Sequence, residues 1–172
     1  MGQQAGDTII APGLPNIQVF TGSGTWNKPD GVRAVLVEVV GGGGGSGGVA
    51  ATGASQVSAS AGGGGGGYSR KLIQASALGA TETVTVGAGG TGGAAGANNG
   101  TAGGTSSFGS HCSATGGSLS GGVAAQATEG PLSTGGAGGT GSGGDLNIAG
   151  SRGATGHAFY GAVARAAGGP SQ

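Results

Sequence analysis

The chain has 172 residues, with six basic and six acidic side chains and a formal net charge of zero. Glycine fills 49 positions, whereas Leu, Ile, Val and Phe together number only 27 and aromatic residues make up 3%. Scattered, balanced charge excludes a basic nucleic-acid footprint and a self-repelling coil, and the single cysteine, Cys112, excludes an intrachain disulfide framework or a cysteine-rich metal site.

Residues 1–16, "MGQQAGDTIIAPGLPN", carry two prolines and the pair Ile9–Ile10, and they are expected to form an extended arm. Residues 17–40 form a β unit. In it "IQVF" reads as a short strand, "KPDGV" as a β-turn, and Trp26 as the anchor of this unit against the first sheet. Residues 32–40 hold so many β-branched side chains that a strand covered on both faces is expected. Beyond Val40 the glycine runs begin, at 41–48, 62–67, 87–96, 100–104, 116–122 and 135–144. Short strand candidates lie between them at 68–74, 81–87, 106–109, 112–115 and 145–148. No apolar helical pattern survives the glycine density. No segment suits a signal peptide or a membrane span. Residues 17–172 are expected to form one domain.

The glycine runs have a period of three. Glycine occupies 87, 90, 93 and 96 in one run, and 135, 138, 141 and 144 in another. Three residues per turn is the repeat of the polyproline-II helix, which makes no internal hydrogen bonds. A buried one must therefore pair its N–H and C=O groups with neighbours, at a distance that leaves no room for a Cβ. So few apolar side chains cannot by themselves offset the entropy of ordering this chain. Backbone hydrogen bonding, close backbone packing or other subunits must supply the rest. The fold class expected is all-β and irregular, with short strands and packed polyproline-II layers.

Gly43, Gly45 and Gly48 satisfy the dinucleotide pattern G-x-G-x-x-G after a strand. A dinucleotide fold also needs a helix after the glycines and an acidic residue about 20 positions on. Here the next acid is Glu82, so the glycines are read as architecture. Ser46 sits in G-x-S-x-G without the strand–turn–helix a nucleophile elbow needs. His111, His157 and Asp145 form no triad by spacing. One copy of "GSGGDLNI" is not a stacked calcium repeat. No cofactor, metal or enzymatic activity is expected. Cys112, Tyr68 and Phe108 are read as packing residues.

The pieces "VFTGSGTWNKPDGVRAVLVEVVGGGGGSGG", "AGGGGGGYSRKLIQ", "GATETVTVGAGGTGG", "GGTSSFGS", "ATGG" and "GGDLNIAG" follow one another as in the glycine-rich domain of bacteriophage tail-fibre and adhesin proteins. The chain resembles that family over about residues 19–150. The resemblance implies a polyglycine sandwich whose polyproline-II layers hold receptor-recognising loops at a tip. It implies a non-enzymatic virion protein of the tail fibre or tail tip. Its partners would be a bacterial surface receptor (a polysaccharide or an outer-membrane protein) and other phage tail proteins, and the chain is expected as a homotrimer, with a single copy on a trimeric fibre as the alternative. The early part looks more β-rich than a pure sandwich, and the last part stops where relatives commonly continue with glycine. A purely structural fibre or baseplate component is the alternative. An ice-binding face would need threonines at one fixed spacing, and a mycobacterial glycine-rich surface protein would need a helical N-terminal domain; the sequence offers neither.

Recognition is expected in three loops, 49–61, 123–134 and 151–165. The third concentrates Arg152, His157, Phe159, Tyr160 and Arg165, which suits carbohydrate or protein contact. Arg152, His157, Phe159 and Tyr160 are the candidate receptor-binding residues. Ile9, Ile10 and Leu14 are the candidates for contact with other tail protein or another subunit.

Overall fold

The computed structural model describes residues 16–159, and the structural statements below refer to these. Ten short strands alternate with extended glycine segments: β1 Gly24–Asn27, β2 Ala34–Val40, β3 Tyr68–Gln74, β4 Thr81–Thr85, β5 Ser106–Phe108, β6 Cys112–Ala114, β7 Gly130–Ser133, β8 Gly141–Ser142, β9 Leu146–Ile148 and β10 Gly156–Ala158. The helical content is one 3-10 turn at Ala75–Ala77.

Two antiparallel sheets form one end of the molecule. One has the order β1-β4-β5-β6-β8 and the other β2-β3-β9. Their facing side chains build the side-chain core: Trp26, Val84, Phe108, Cys112 and Ala114 from the first sheet, Val37, Val39 and Ile73 from the second. Trp26 meets Phe108 edge-on, with ring centroids 5.5 Å apart at 67°, the geometry that sets a positive ring edge against a negative face. Burial raises the Cys112 thiol pKa, as expected for a cysteine used as packing. The turn before β2 forms as the sequence requires, with Val32 N–H donating to the Pro29 carbonyl and Gly31 at φ 75°.

Seven glycine segments adjoin strands directly or across a single residue, and are numbered here I (41–48), II (62–67), III (87–94), IV (98–104), V (115–122), VI (135–140) and VII (150–154). Their backbone hydrogen bonds repeat every third residue. In segment I the N–H groups of Gly41 and Gly44 donate to Gly67 and Gly64 of segment II, and those of Gly42, Gly45 and Gly48 to Gly104, Thr101 and Asn98 around segment IV. Its carbonyls at Gly43 and Ser46 accept from Gly90 and Gly93 of segment III, and those at Gly42 and Gly45 from Gly117 and Ser120 of segment V. A segment with four hydrogen-bonded neighbours is not a strand, which has two. It is a three-residue-per-turn helix in a triangular lattice.

The remaining bonds fix the array. Segments III, I, II and VII form one row. Segments IV, V and VI form the second row, each seated between two members of the first: IV against III and I, V against I and II, VI against II and VII. Segments I, III, V and VII run away from the sheets, and II, IV and VI run back.

The lattice explains the glycines sterically. A Cβ added at Gly44 would land on the Ser118 carbonyl, at Gly45 on that of Thr91, at Gly64 on that of Ala137, and at Gly138 on that of Gly150. Glycines on the outer face are different: at Gly89 an added Cβ would meet nothing within 4 Å.

Three sequence expectations need correction. Residues 17–20 join no ladder among the described residues, because residues 24–27 occupy the β4 edge instead. β2 is not covered on both faces: Val37 and Val39 are buried, but Leu36 is 59% and Val40 61% exposed. The β-branched run packs inward on one face and lies open on the other. Tyr68 lies on that outer face, and its hydroxyl donates to Glu38 Oε1 at 2.5 Å. That bond to Glu38 is the leading cause of the raised Tyr68 pKa.

Gly138→Val should forfeit buried backbone hydrogen bonds worth about 1–3 kcal/mol each. It should melt well below the wild type in a thermal scan followed by circular dichroism. Gly89→Ala should melt with the wild type or slightly above it, since its site is open and its φ is not positive.

Candidate recognition tip

Because alternate segments run in opposite directions, the links between them fall at two ends. The β3–β4, β5–β6 and β8–β9 links lie at the sheet end. The links 49–61, 95–97 and 123–134, and the exit from segment VII, lie at the other. The long loops predicted from sequence therefore share one tip.

Backbone pairing ties this tip together. Val49 bridges Val123 in parallel, and Val57 bridges Gln126 antiparallel. The latter bridge has both bonds, Val57 N–H to the Gln126 carbonyl at 2.8 Å and the reverse at 2.9 Å. Ser58 Oγ donates to the Val123 carbonyl at 3.2 Å, and Ser60 Oγ to that of Gly47 at 2.6 Å, locking loop 49–61 onto the lattice. Strands β7 and β10 pair antiparallel, with an irregularity between Gly156 and His157. Val57, Val123, Ala61 and Ala158 are buried, so the tip has a small apolar interior of its own. At its outer turn Ser55 sits in the left-handed region with φ 56°, a conformation costly for a residue with a side chain and frequent at ligand-binding loops.

β10 sets the most distinctive surface feature. Alternation buries Gly156 and Ala158 and turns His157 and Phe159 outward on one face. Their rings lie nearly parallel, with centroids 6.4 Å apart at 17°, and Phe159 is half exposed. Stacked, solvent-facing rings give a flat apolar platform with a polar edge, suited to the apolar face of a sugar ring or to a protein side chain.

The structure brings together two of the four candidate receptor residues, His157 and Phe159. Arg152 is exposed but belongs to lattice segment VII, where its Nε donates to the Gly135 carbonyl at 3.2 Å. Segment VII also receives N–H bonds from Gly65 and Gly62 at the Ser151 and Ala154 carbonyls. The third loop therefore begins after Ala154, not at Ser151. Tyr160 and Arg165 lie outside the described residues, as do Ile9, Ile10 and Leu14. Ser55 and the β7–β10 pair carry no mark in the sequence. The third-position glycines Gly150, Gly153 and Gly156 were a signal that could have placed Arg152 in the lattice.

The groups considered for catalysis stand apart. Asp145 Oδ2 accepts from the Leu72 N–H at 2.8 Å at the sheet end. His111 Nε2 lies 3.4 Å from Glu82 Oε1, also at the sheet end, whereas His157 is at the tip. Asn147 of the "GSGGDLNI" stretch accepts from Ser69 Oγ at 2.7 Å and serves as a structural strut. Gly45 and Gly48 of the dinucleotide pattern face the backbone of Thr91 and Ala94, leaving no space for a phosphate there. Among the described residues no His, Cys, Asp and Glu side chains cluster as a metal site, and no helix is long and apolar enough to cross a membrane.

The family model for the glycine-rich domain matches residues 18–172. The chain belongs to that family. The curated proteins compared with it give no match.

Electrostatics at the sheet end yields a pH signature. The Glu82 carboxyl pKa is held below its ordinary value, first by the N–H of Gly79, which donates to Oε1 at 2.9 Å, and then by His111. A depressed folded-state pKa stabilises above the unfolded value and is lost as pH falls through the folded one. Glu82→Gln should therefore lower the melting temperature at neutral pH. The gap to wild type should close as pH drops below about 4, measured by thermal scans across pH.

Proposed function

We propose that this member of the glycine-rich domain family is a bacteriophage tail-fibre or tail-tip protein that adheres to a bacterial surface receptor and has no enzymatic activity. One observation carries the reading: the long loops of a side-chain-poor lattice converge on one tip, which presents the stacked pair His157–Phe159. A glycine lattice offers backbone and little else, so discrimination among partners falls to its loops. The ordered succession of motifs between residues 19 and 150 supports the phage assignment. On this reading the protein is a virion component, its receptor is a surface polysaccharide or an outer-membrane protein, and residues 1–16 with Ile9, Ile10 and Leu14 contact other tail proteins. A purely structural fibre or baseplate role is the second reading, favoured by the exposed apolar face at the sheet end.

The double variant His157→Ala/Phe159→Ala should cut binding of the purified protein to host cells by about tenfold or more, the effect of losing roughly 1.4 kcal/mol. Its melting temperature should stay unchanged, because both side chains are exposed. Host mutants lacking surface polysaccharide or porin would separate the receptor classes. Normal cell binding by the variant, with failed particle assembly, would favour the structural role.

A further inference from the structure

At the start of segment IV, beside the tip, lies a dipeptide whose two residues can react with each other, Asn99–Gly100. Each is there for a structural reason. Asn99 Oδ1 accepts from the Gly122 N–H at 2.9 Å and so ties segment IV to the end of segment V. A Cβ at position 100 would meet the Ser46 and Gly45 carbonyls of segment I, so the next residue must be glycine. The resulting pair is the one in which a backbone nitrogen most readily attacks the preceding carboxamide, since glycine has no side chain to hinder the approach and the greatest backbone freedom. The other asparagines differ. Asn16, Asn27, Asn98 and Asn147 precede Ile17, Lys28, Asn99 and Ile148, whose side chains obstruct the same attack.

We infer that Asn99 is a modification site, converted to aspartate and isoaspartate through the chain's own Gly100 nitrogen, at a rate the lattice controls. The Gly100 nitrogen bonds to Asn99 Cγ, and the carboxamide nitrogen leaves as ammonia, carrying the proton of the Gly100 N–H. Solvent water then opens the cyclic imide. Cleavage at Cγ gives aspartate, and cleavage at the former main-chain carbonyl gives isoaspartate. The folded lattice holds both reacting groups: the Gly100 N–H donates to the Ser120 carbonyl at 3.2 Å, and the carboxamide is fixed on Gly122. Ring closure requires segment IV to part from segment V. Water is at hand, because Asn99 is exposed, so the population of the locally opened state sets the rate. The isoaspartyl product no longer fits. The N–H groups of Gly48 and Gly45 reach the carbonyls of Asn98 and Thr101, matching three residues of segment I to three of segment IV. Isoaspartate routes the chain through Cβ and adds one backbone atom between those carbonyls, so the two bonds cannot both form.

Peptide mass spectrometry of the full chain, aged in mildly alkaline buffer, follows the conversion at each asparagine. In the native chain Asn99 should convert at least about tenfold more slowly than in the same chain held unfolded in guanidinium. In the unfolded chain it should convert ahead of Asn27, Asn98 and Asn147. Gly103→Ala, which sets a Cβ on the Gly42 carbonyl and loosens segment IV, should raise hydrogen exchange at Gly100 and conversion at Asn99 by the same factor. Wild-type chain in dilute guanidinium supplies the same comparison where that variant does not fold. Asn99→Asp keeps an acceptor for Gly122 and a regular backbone, and should melt close to the wild type. The isoaspartyl form, separated from an aged sample by chromatography, should melt below both. Equal rates in the native and unfolded chains, conversion that does not follow Gly100 exchange, or an isoaspartyl form that melts with the wild type would each overturn the inference.

Discussion

The fold depends on backbone N–H···O=C bonds between extended segments that have three residues per turn and no bonds of their own. In a β-strand the peptide groups point to two sides, so each strand serves two neighbours. With a three-fold turn they point around the axis, and segment I is served by four. The cost is steric. Where two segments approach that closely a position must lack a Cβ, as at Gly44, Gly45, Gly64 and Gly138, where an added atom would meet a neighbouring carbonyl. Glycine loses more backbone freedom on folding than any other residue. The lattice offsets that loss by leaving few buried backbone groups unpaired, the condition under which a chain poor in apolar side chains still closes.

The two halves of the molecule use the same seven chain passes in different chemistry. At the sheet end the passes are strands whose Val, Ile and Phe side chains pack between two sheets, with Trp26 of β1 among them. A few residues on, each pass becomes a glycine helix, and side-chain packing gives way to backbone packing. Sheet order survives the change: β2-β3-β9 continues as I-II-VII, and β4-β5-β6-β8 as III-IV-V-VI. The sheets therefore set which glycine segments are neighbours, a choice that glycine itself cannot encode. Gly64 could pack against any carbonyl, but Ile73, a few residues along the same pass, fits only one core.

That division decides what the sequence could reveal. The lattice was legible because its steric rule leaves a mark with a period of three, as at Gly87, Gly90 and Gly93, all turned toward segment IV. β3 was legible residue for residue, since "YSRKLIQ" sits between unmistakable breakers. β1 was not, because "TGSGTWN" reads as turn chemistry, and only pairing with β4 makes it a strand. β7 and β10 contain proline and glycine and exist through each other. The open face of β2 was hidden for a related reason: propensity reports that Leu36 and Val40 suit a strand, not whether anything covers them. At the tip, the loops were visible as interruptions of the glycine period. Their convergence was not, because it follows from the alternating direction of passes. Arg152 was misplaced because two polar residues between Gly150 and Gly153 masked a three-residue turn.

The lattice also separates its ends mechanically. Eight residues of segment I at ~3.1 Å per residue span about 25 Å, and every pass is braced along that length by its neighbours. The bracing bonds are made by backbone atoms, so they do not depend on which side chains the loops carry. Loop 49–61 can change in length or composition while Gly48 and Gly62 stay in register, since the bonds at Asn98 and Ala154 that hold them lie on other passes. The sheet end, with its side-chain core, is insulated from such changes for the same reason. A scaffold of this kind separates assembly from recognition: specificity at the tip is free to vary because what fixes the tip in space contains almost no side chains.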